Sequence, residues 1–148
     1  MQPKTSPIAT PTPLIDRLSE ELNYPLLDLS NIDAFLTQHE HSVLFFTEDI
    51  VRFQESNDVA VVLPELITAF PDLAPAVIAR KDEKKLQSVY GFRAWPALVF
   101  MRGDQYLDAI TGIQDWTEYL TQIKTILTSE HSRPLSIGIP VTIEPLSQ

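Results

Sequence analysis

The sequence predicts an α/β fold, a mixed β-sheet flanked by helices on both faces. Three observations carry that reading. Short apolar runs alternate with segments whose apolar residues recur at helical spacing. One run, Ser42-Val43-Leu44-Phe45-Phe46, is apolar on both faces of a strand, as a central strand covered on each side must be. The order then closes on a hairpin and a last helix. At 148 residues, 44% hydrophobic and 21% charged, the chain has the size and makeup of one globular domain.

Each element has a local cause. Residues 1–13 contain Pro3, Pro7, Pro11 and Pro13 among Ser and Thr, which excludes a helix or central strand and predicts a flexible arm. The domain is expected over 14–128. Leu14, Ile15, Leu18 and Leu22 define a short amphipathic helix that Asn23 and Pro25 stop. Leu26-Leu27-Asp28-Leu29 reads as a short strand, and Ser30 or Asn31 can cap a helix carrying Ile32, Phe35 and Leu36. After Ser42–Phe46 comes a polar loop, Thr47 to Asp58, then a helix from Val59 to Phe70 with Ser56, Asn57 or Asp58 as its N-cap and Pro64 inside it. Ala76–Ala79 is the next strand. Asp82 opens a charged helix with Leu86, Val89 and Tyr90 inward and Gly91 at its end.

Ala97 to Met101 and Tyr106 to Ile110 form a hairpin about Arg102-Gly103-Asp104-Gln105. Asp115 caps a helix bearing Trp116, Tyr119, Leu120, Ile123 and Leu127, and Trp116, Tyr119 and Phe100 are expected in the core. Residues 129–148 set Ile137, Ile139, Val141 and Ile143 among Pro134, Pro140 and Pro145, and read as an extended tail that packs on the domain or on a partner.

Composition excludes several functions. There is no cysteine, hence no disulfide, thiolate nucleophile or thiolate metal site. Residues 1–79 hold twelve acidic and three basic groups, the whole of the −9 net charge, whereas residues 80–148 hold eight of each. Nucleic acid is a poor partner for such a surface, because phosphate binding needs clustered Lys and Arg; a basic peptide would be steered toward it. No apolar run reaches the roughly 20 residues of a membrane helix. Met1-Gln2-Pro3-Lys4-Thr5-Ser6-Pro7 has no apolar signal-peptide centre, so a cytoplasmic protein without membrane insertion is expected.

From Ser42 to Leu127 the element order resembles the thioredoxin fold. Trp95-Pro96-Ala97-Leu98-Val99-Phe100 matches the cis-proline and strand that begin a thioredoxin's final hairpin, and Pro64 matches the proline of its active-site helix. Counting back from Pro64 places Ser56-Asn57-Asp58-Val59 where the cysteine pair would stand. A narrower set of motifs comprises Glu65-Leu66 with Ala69-Phe70-Pro71-Asp72, Tyr90-Gly91-Phe92-Arg93, the Trp95–Phe100 run, and Gly112-Ile113-Gln114-Asp115-Trp116. Together they resemble the HyaE/HupG family of hydrogenase expression proteins over residues 14–128. That resemblance implies a thioredoxin-like fold without the cysteine pair. It also implies a non-enzymatic chaperone of [NiFe] uptake hydrogenase maturation, acting with no cofactor. Its expected partner is the twin-arginine signal peptide of the hydrogenase small subunit, bound before export, with other maturation factors as further partners. A structural scaffold subunit of a larger maturation complex, gripping partners through the C-terminal tail, is the alternative.

In that frame Glu48, Asp49, Glu55 and Asp58 face Trp95-Pro96, where an extended peptide would lie. Carboxylates there can take an arginine pair through bidentate, charge-assisted bonds. The competing reading is a solvated acidic loop at a helix N-terminus. His39-Glu40-His41 offers zinc-type donors, but residues two apart do not share a helix face, and a solvated helix end is expected. Ser56 stands in the nucleophile's place, but the three histidines, His39, His41 and His131, form no recognisable motif with it, so a capping role is expected and no catalytic residue is assigned. Lys81 to Lys85 reads as an exposed helix face.

Overall fold

The computed structural model describes residues 12–49 and 52–129. The expected arm over 1–13 and tail over 129–148 therefore lie, apart from Thr12, Pro13 and Ser129, outside the described residues. The described elements are α1 (Pro13–Glu20), β1 (Leu26–Leu27), α2 (Ile32–Gln38), β2 (His41–Phe46), α3 (Glu55–Ala69), β3 (Leu73–Ile78), a 3-10 turn (Arg80–Asp82), α4 (Glu83–Tyr90), β4 (Ala97–Arg102), β5 (Gln105–Thr111) and α5 (Trp116–Thr128).

The sheet order is β1-β3-β2-β4-β5, with β1, β3 and β2 parallel and β4 and β5 antiparallel. β2 is central, as its two apolar faces require. Val43 and Phe45 join a core with Leu18 of α1, Val59, Leu63 and Leu66 of α3, and Tyr119 and Ile123 of α5. Leu44 and Phe46 join the opposite core with Ile32 and Leu36 of α2 and Leu86 and Tyr90 of α4. Three helices thus cover one face and two the other.

The structure corrects the sequence reading at four places. First, α3 begins at Glu55, not Val59. Ser56 is inside its first turn, where its buried hydroxyl donates to the Thr47 carbonyl (2.6 Å) instead of capping. With that hydroxyl satisfied and Glu55 and Asp58 facing the positive end of the helix, the polar stretch is a good helix start. Second, β3 begins at Leu73 and runs through Pro75, which pairs with Val43. The Val77 and Ala79 amides donate to Pro25 and Leu27, on the β1 side. Two residues earlier, Pro75 turns its missing N–H to the same side, beyond the end of β1, where no ladder bond is lost.

Third, Trp116 is 44% exposed at the start of α5, whereas Phe100 and Tyr119 are buried as expected. Fourth, Glu83 is buried in the midst of the exposed Lys81, Lys84 and Lys85. The Gly91 ending holds, with φ +80° at the helix C-terminus.

The α3 helix gives a clean contrast of burial. Leu63 is fully buried and Val61 is 51% exposed. Leu63→Ala is expected to lower unfolding free energy by about 2–5 kcal/mol in chemical denaturation. Val61→Ala should change it by less than about 0.5 kcal/mol.

Candidate functional site

Three chain segments meet at one end of the sheet: the loop between β2 and α3, the Trp95-Pro96 turn before β4, and the loop between β5 and α5. The antiparallel pairing of Phe46 with Ala97 brings the first two together. The third is fastened by the Gly112 amide, which donates to the Pro96 carbonyl (2.8 Å). Glu55 joins it to α3 by accepting the Ile113 amide (2.9 Å). Gly112 is required there, since its φ is +69° and a Cβ would stand 3.2 Å from Glu55 Oε1. The Tyr119 hydroxyl donates to the Gly112 carbonyl (3.3 Å) from below. Burial pushes the Tyr119 phenol above its ordinary range, and Glu55 and Asp58 add to that rise.

The junction leaves an open groove of about 450 Å³ lined by Arg52, Phe53, Gln54, Glu55, Asp58 and Trp95. Glu55 and Asp58 lie one turn apart on the first turn of α3, and both are exposed. The half-buried Trp95 indole packs edge-on against Phe92 and Phe46 and lies tilted beside Phe53. The Arg52 guanidinium sits 5.2 Å from the Phe53 ring centroid. Trp95-Pro96 is a cis peptide, and Pro96 is buried beneath the groove. Among the described residues, the Trp95 backbone makes no hydrogen bond with another backbone group.

Of the six residues assigned from sequence, Glu55, Asp58 and Trp95 therefore line one groove, with Pro96 under it. Glu48 turns away: its carboxylate lies 3.9 Å from both Arg80 Nη2 and Lys84 Nζ. Asp49 shapes the loop through its carbonyl, which accepts the Arg52 and Phe53 amides (3.1 and 2.8 Å). His39 packs on Phe35, ring centroids 4.5 Å apart, and His41 Nε2 receives a long 3.5 Å contact from Arg102. Among the described residues, no group of three His, Cys, Asp or Glu side chains is arranged to hold a metal. Among them, too, no helix is long and apolar enough to cross a membrane.

Two features of the site escaped the sequence reading. Arg52 and Phe53 form a wall of the groove, although nothing in the loop's pattern singles them out. The other is Glu83, only 2% exposed, whose carboxylate accepts the Thr47 amide (2.9 Å), the Glu48 amide (2.8 Å) and the Thr47 hydroxyl (3.3 Å). A signal for it was present, because Glu83 shares the inward stripe of Leu86 and Tyr90. Burial raises the Glu83 carboxyl from 4.5 to about 7, against the lowering pull of the Thr47 and Glu48 amides and of Arg80.

The comparisons with known proteins agree with this fold. Solved thioredoxins share it: that of Halobacterium salinarum NRC-1 superposes with a TM-score of 0.58 at 21% identity, over 72% of this chain and 90% of that one. The fold is thus thioredoxin-like without a cysteine pair. The chain belongs to the family described as Hydrogenase-1 expression protein HyaE, which matches residues 14–119. Its relatives include the hydrogenase expression/formation protein HoxO of Azotobacter vinelandii, 52% identical over 80% of both chains. HupG of Rhizobium leguminosarum bv. viciae is 38% identical over 88% of this chain and 91% of its own. The crystal structure of a putative hydrogenase expression/formation protein hupG from Rhodopseudomonas palustris CGA009 superposes with a TM-score of 0.51 at 42% identity. It covers 70% of this chain and 94% of that one.

The raised carboxyl makes a prediction about pH. A group that binds its proton more tightly when folded contributes stability that is fully present below about 4.5 and is lost as pH rises through about 7. Chemical denaturation across that range should therefore shift the balance between wild type and Glu83→Gln in favour of the variant. The shift is on the order of 3 kcal/mol, and a difference independent of pH contradicts it.

Proposed function

We propose that this protein is a non-catalytic chaperone of hydrogenase maturation. In this reading it holds the twin-arginine signal peptide of the hydrogenase small subunit, in the cytoplasm, in the groove between α3 and Trp95. The observation that carries it is one open groove lined by the Glu55 and Asp58 carboxylates and by Trp95, whose backbone makes no hydrogen bond with another backbone group among the described residues. An extended peptide needs backbone partners, and an arginine pair needs carboxylates; the groove presents both. The family membership, and the names of relatives as hydrogenase expression/formation proteins, support the assignment to hydrogenase maturation.

The chemistry favours binding over catalysis. Ser56, at the place of a thioredoxin's reactive thiol pair, is buried and committed to the Thr47 carbonyl. The groove holds carboxylates, one guanidinium and aromatic rings, a set suited to a cationic chain. Arg52, stacked on Phe53, is the groove's own cation; an incoming guanidinium competes with it for the carboxylates and rings.

Calorimetric titration with a synthetic twin-arginine peptide at low salt tests the reading. Binding is expected, weakening with added salt and on replacing the peptide's two arginines by glutamines. Glu55→Gln with Asp58→Asn should weaken it by about ten- to a hundredfold, the worth of one charge-assisted bond. Deleting residues 130–148 should leave the affinity intact. No binding at low salt, or equal affinity for the glutamine peptide, overturns the proposal.

A further inference from the structure

The Glu83 carboxylate is not used by the groove's chemistry, yet it holds the start of the loop that builds it. Thr47 and Glu48 follow directly on β2, and both amides end on Glu83. Glu48 adopts φ +51°, a left-handed conformation that a non-glycine residue keeps only when its surroundings hold it there. The next residue, Asp49, accepts the amides of Arg52 and Phe53, which form one wall of the groove.

The cations nearest Glu83 are engaged with other carboxylates, although Arg80 still favours its charged form. Arg80 from the 3-10 turn and Lys84 from α4 both direct their side chains to Glu48, and Lys81 lies 3.6 Å from Asp28. Asp82 accepts the Leu29 amide, and Glu48 and Asp49 add further negative charge on the loop side. Ionised Glu83 is thus a buried carboxylate with three hydrogen bonds and, among the described residues, no ion pair of its own, an arrangement that costs free energy unless the group reaches water. Protonated, it fits the same site. One oxygen accepts the Glu48 amide, and the other can donate to the Thr47 hydroxyl while accepting the Thr47 amide.

We infer that Glu83 is a positioning residue of the groove: protonated, it holds the Thr47-Glu48 turn and so the Arg52-Phe53 wall in place, and its ionisation loosens that wall. The loop coupling stands on these contacts alone, whereas its effect on peptide affinity rests on the function proposed above. The carboxyl's upward shift to about 7 places the transition near neutrality.

Trp95 reports the wall directly, because Phe53 packs beside it with ring centroids 6.4 Å apart. In a Trp116→Phe background Trp95 is the one remaining tryptophan. Its emission, followed from about pH 5.5 to about pH 9 in folded protein, should change with a single midpoint near neutrality, and Glu83→Gln should abolish that change. The Thr47 and Glu48 amide resonances of wild type should move with the same midpoint, a measurement that needs no variant to fold. Peptide affinity should fall over the same range in wild type and stay constant in Glu83→Gln. Flat Trp95 emission and flat amides in wild type, or the same titration in Glu83→Gln, overturn the inference. Titrating emission without peptide binding at any pH supports the loop coupling and rejects the peptide reading.

Discussion

The end of β2 is the constraint on which the rest of this structure depends. A strand buried on both faces must leave the sheet without stranding its backbone in the interior, and Thr47 is the residue at which it does so. Its amide and hydroxyl go to Glu83, and its carbonyl goes to Ser56. One buried residue thereby ties the central strand to α4 on one face and to α3 on the other. The cost of burying these groups is met by their mutual hydrogen bonding. Removing any one of them strands the others, so β2, α3 and α4 are coupled at Thr47.

The same end of the sheet is thioredoxin-like without thiols. Along Ser56-Asn57-Asp58-Val59 the chain has a serine turned inward as a structural bond and an aspartate exposed beside Glu55. In the function proposed above, this end of the sheet serves charge recognition. On the other side stand the Trp95-Pro96 turn and the Gly112 amide that donates to the Pro96 carbonyl. Of the twelve acidic residues in the first half of the sequence, Glu55 and Asp58 line this groove.

The alternation of apolar runs, the double-sided β2 and the hairpin made the fold legible, because each rests on a periodicity that tertiary contacts reinforce. What the sequence hid was polar. Ser56 reads locally as a cap, and only the position of the Thr47 carbonyl makes it an interior bond. Pro75 reads as a breaker, and only the shortness of β1 makes its place in β3 free of penalty. Glu83 sits among lysines and reads as surface, yet its spacing with Leu86 and Tyr90 points it inward. Glu48 looked equivalent to Glu55 along the loop, but Arg80 and Lys84, more than thirty residues away in sequence, draw it off the groove. Long-range pairing of charged side chains leaves no periodic trace.

The central claim is that the groove beside Trp95, rather than another face, takes the arginine pair. Mapping amide and indole chemical shifts of the full chain during titration with a twin-arginine peptide tests it most directly. The account predicts that the largest changes fall on Glu55, Asp58, Phe53 and the Trp95 indole and vanish when the peptide's arginines become glutamines. Changes gathered instead along α1 and β1, with Trp95 unmoved, would contradict it.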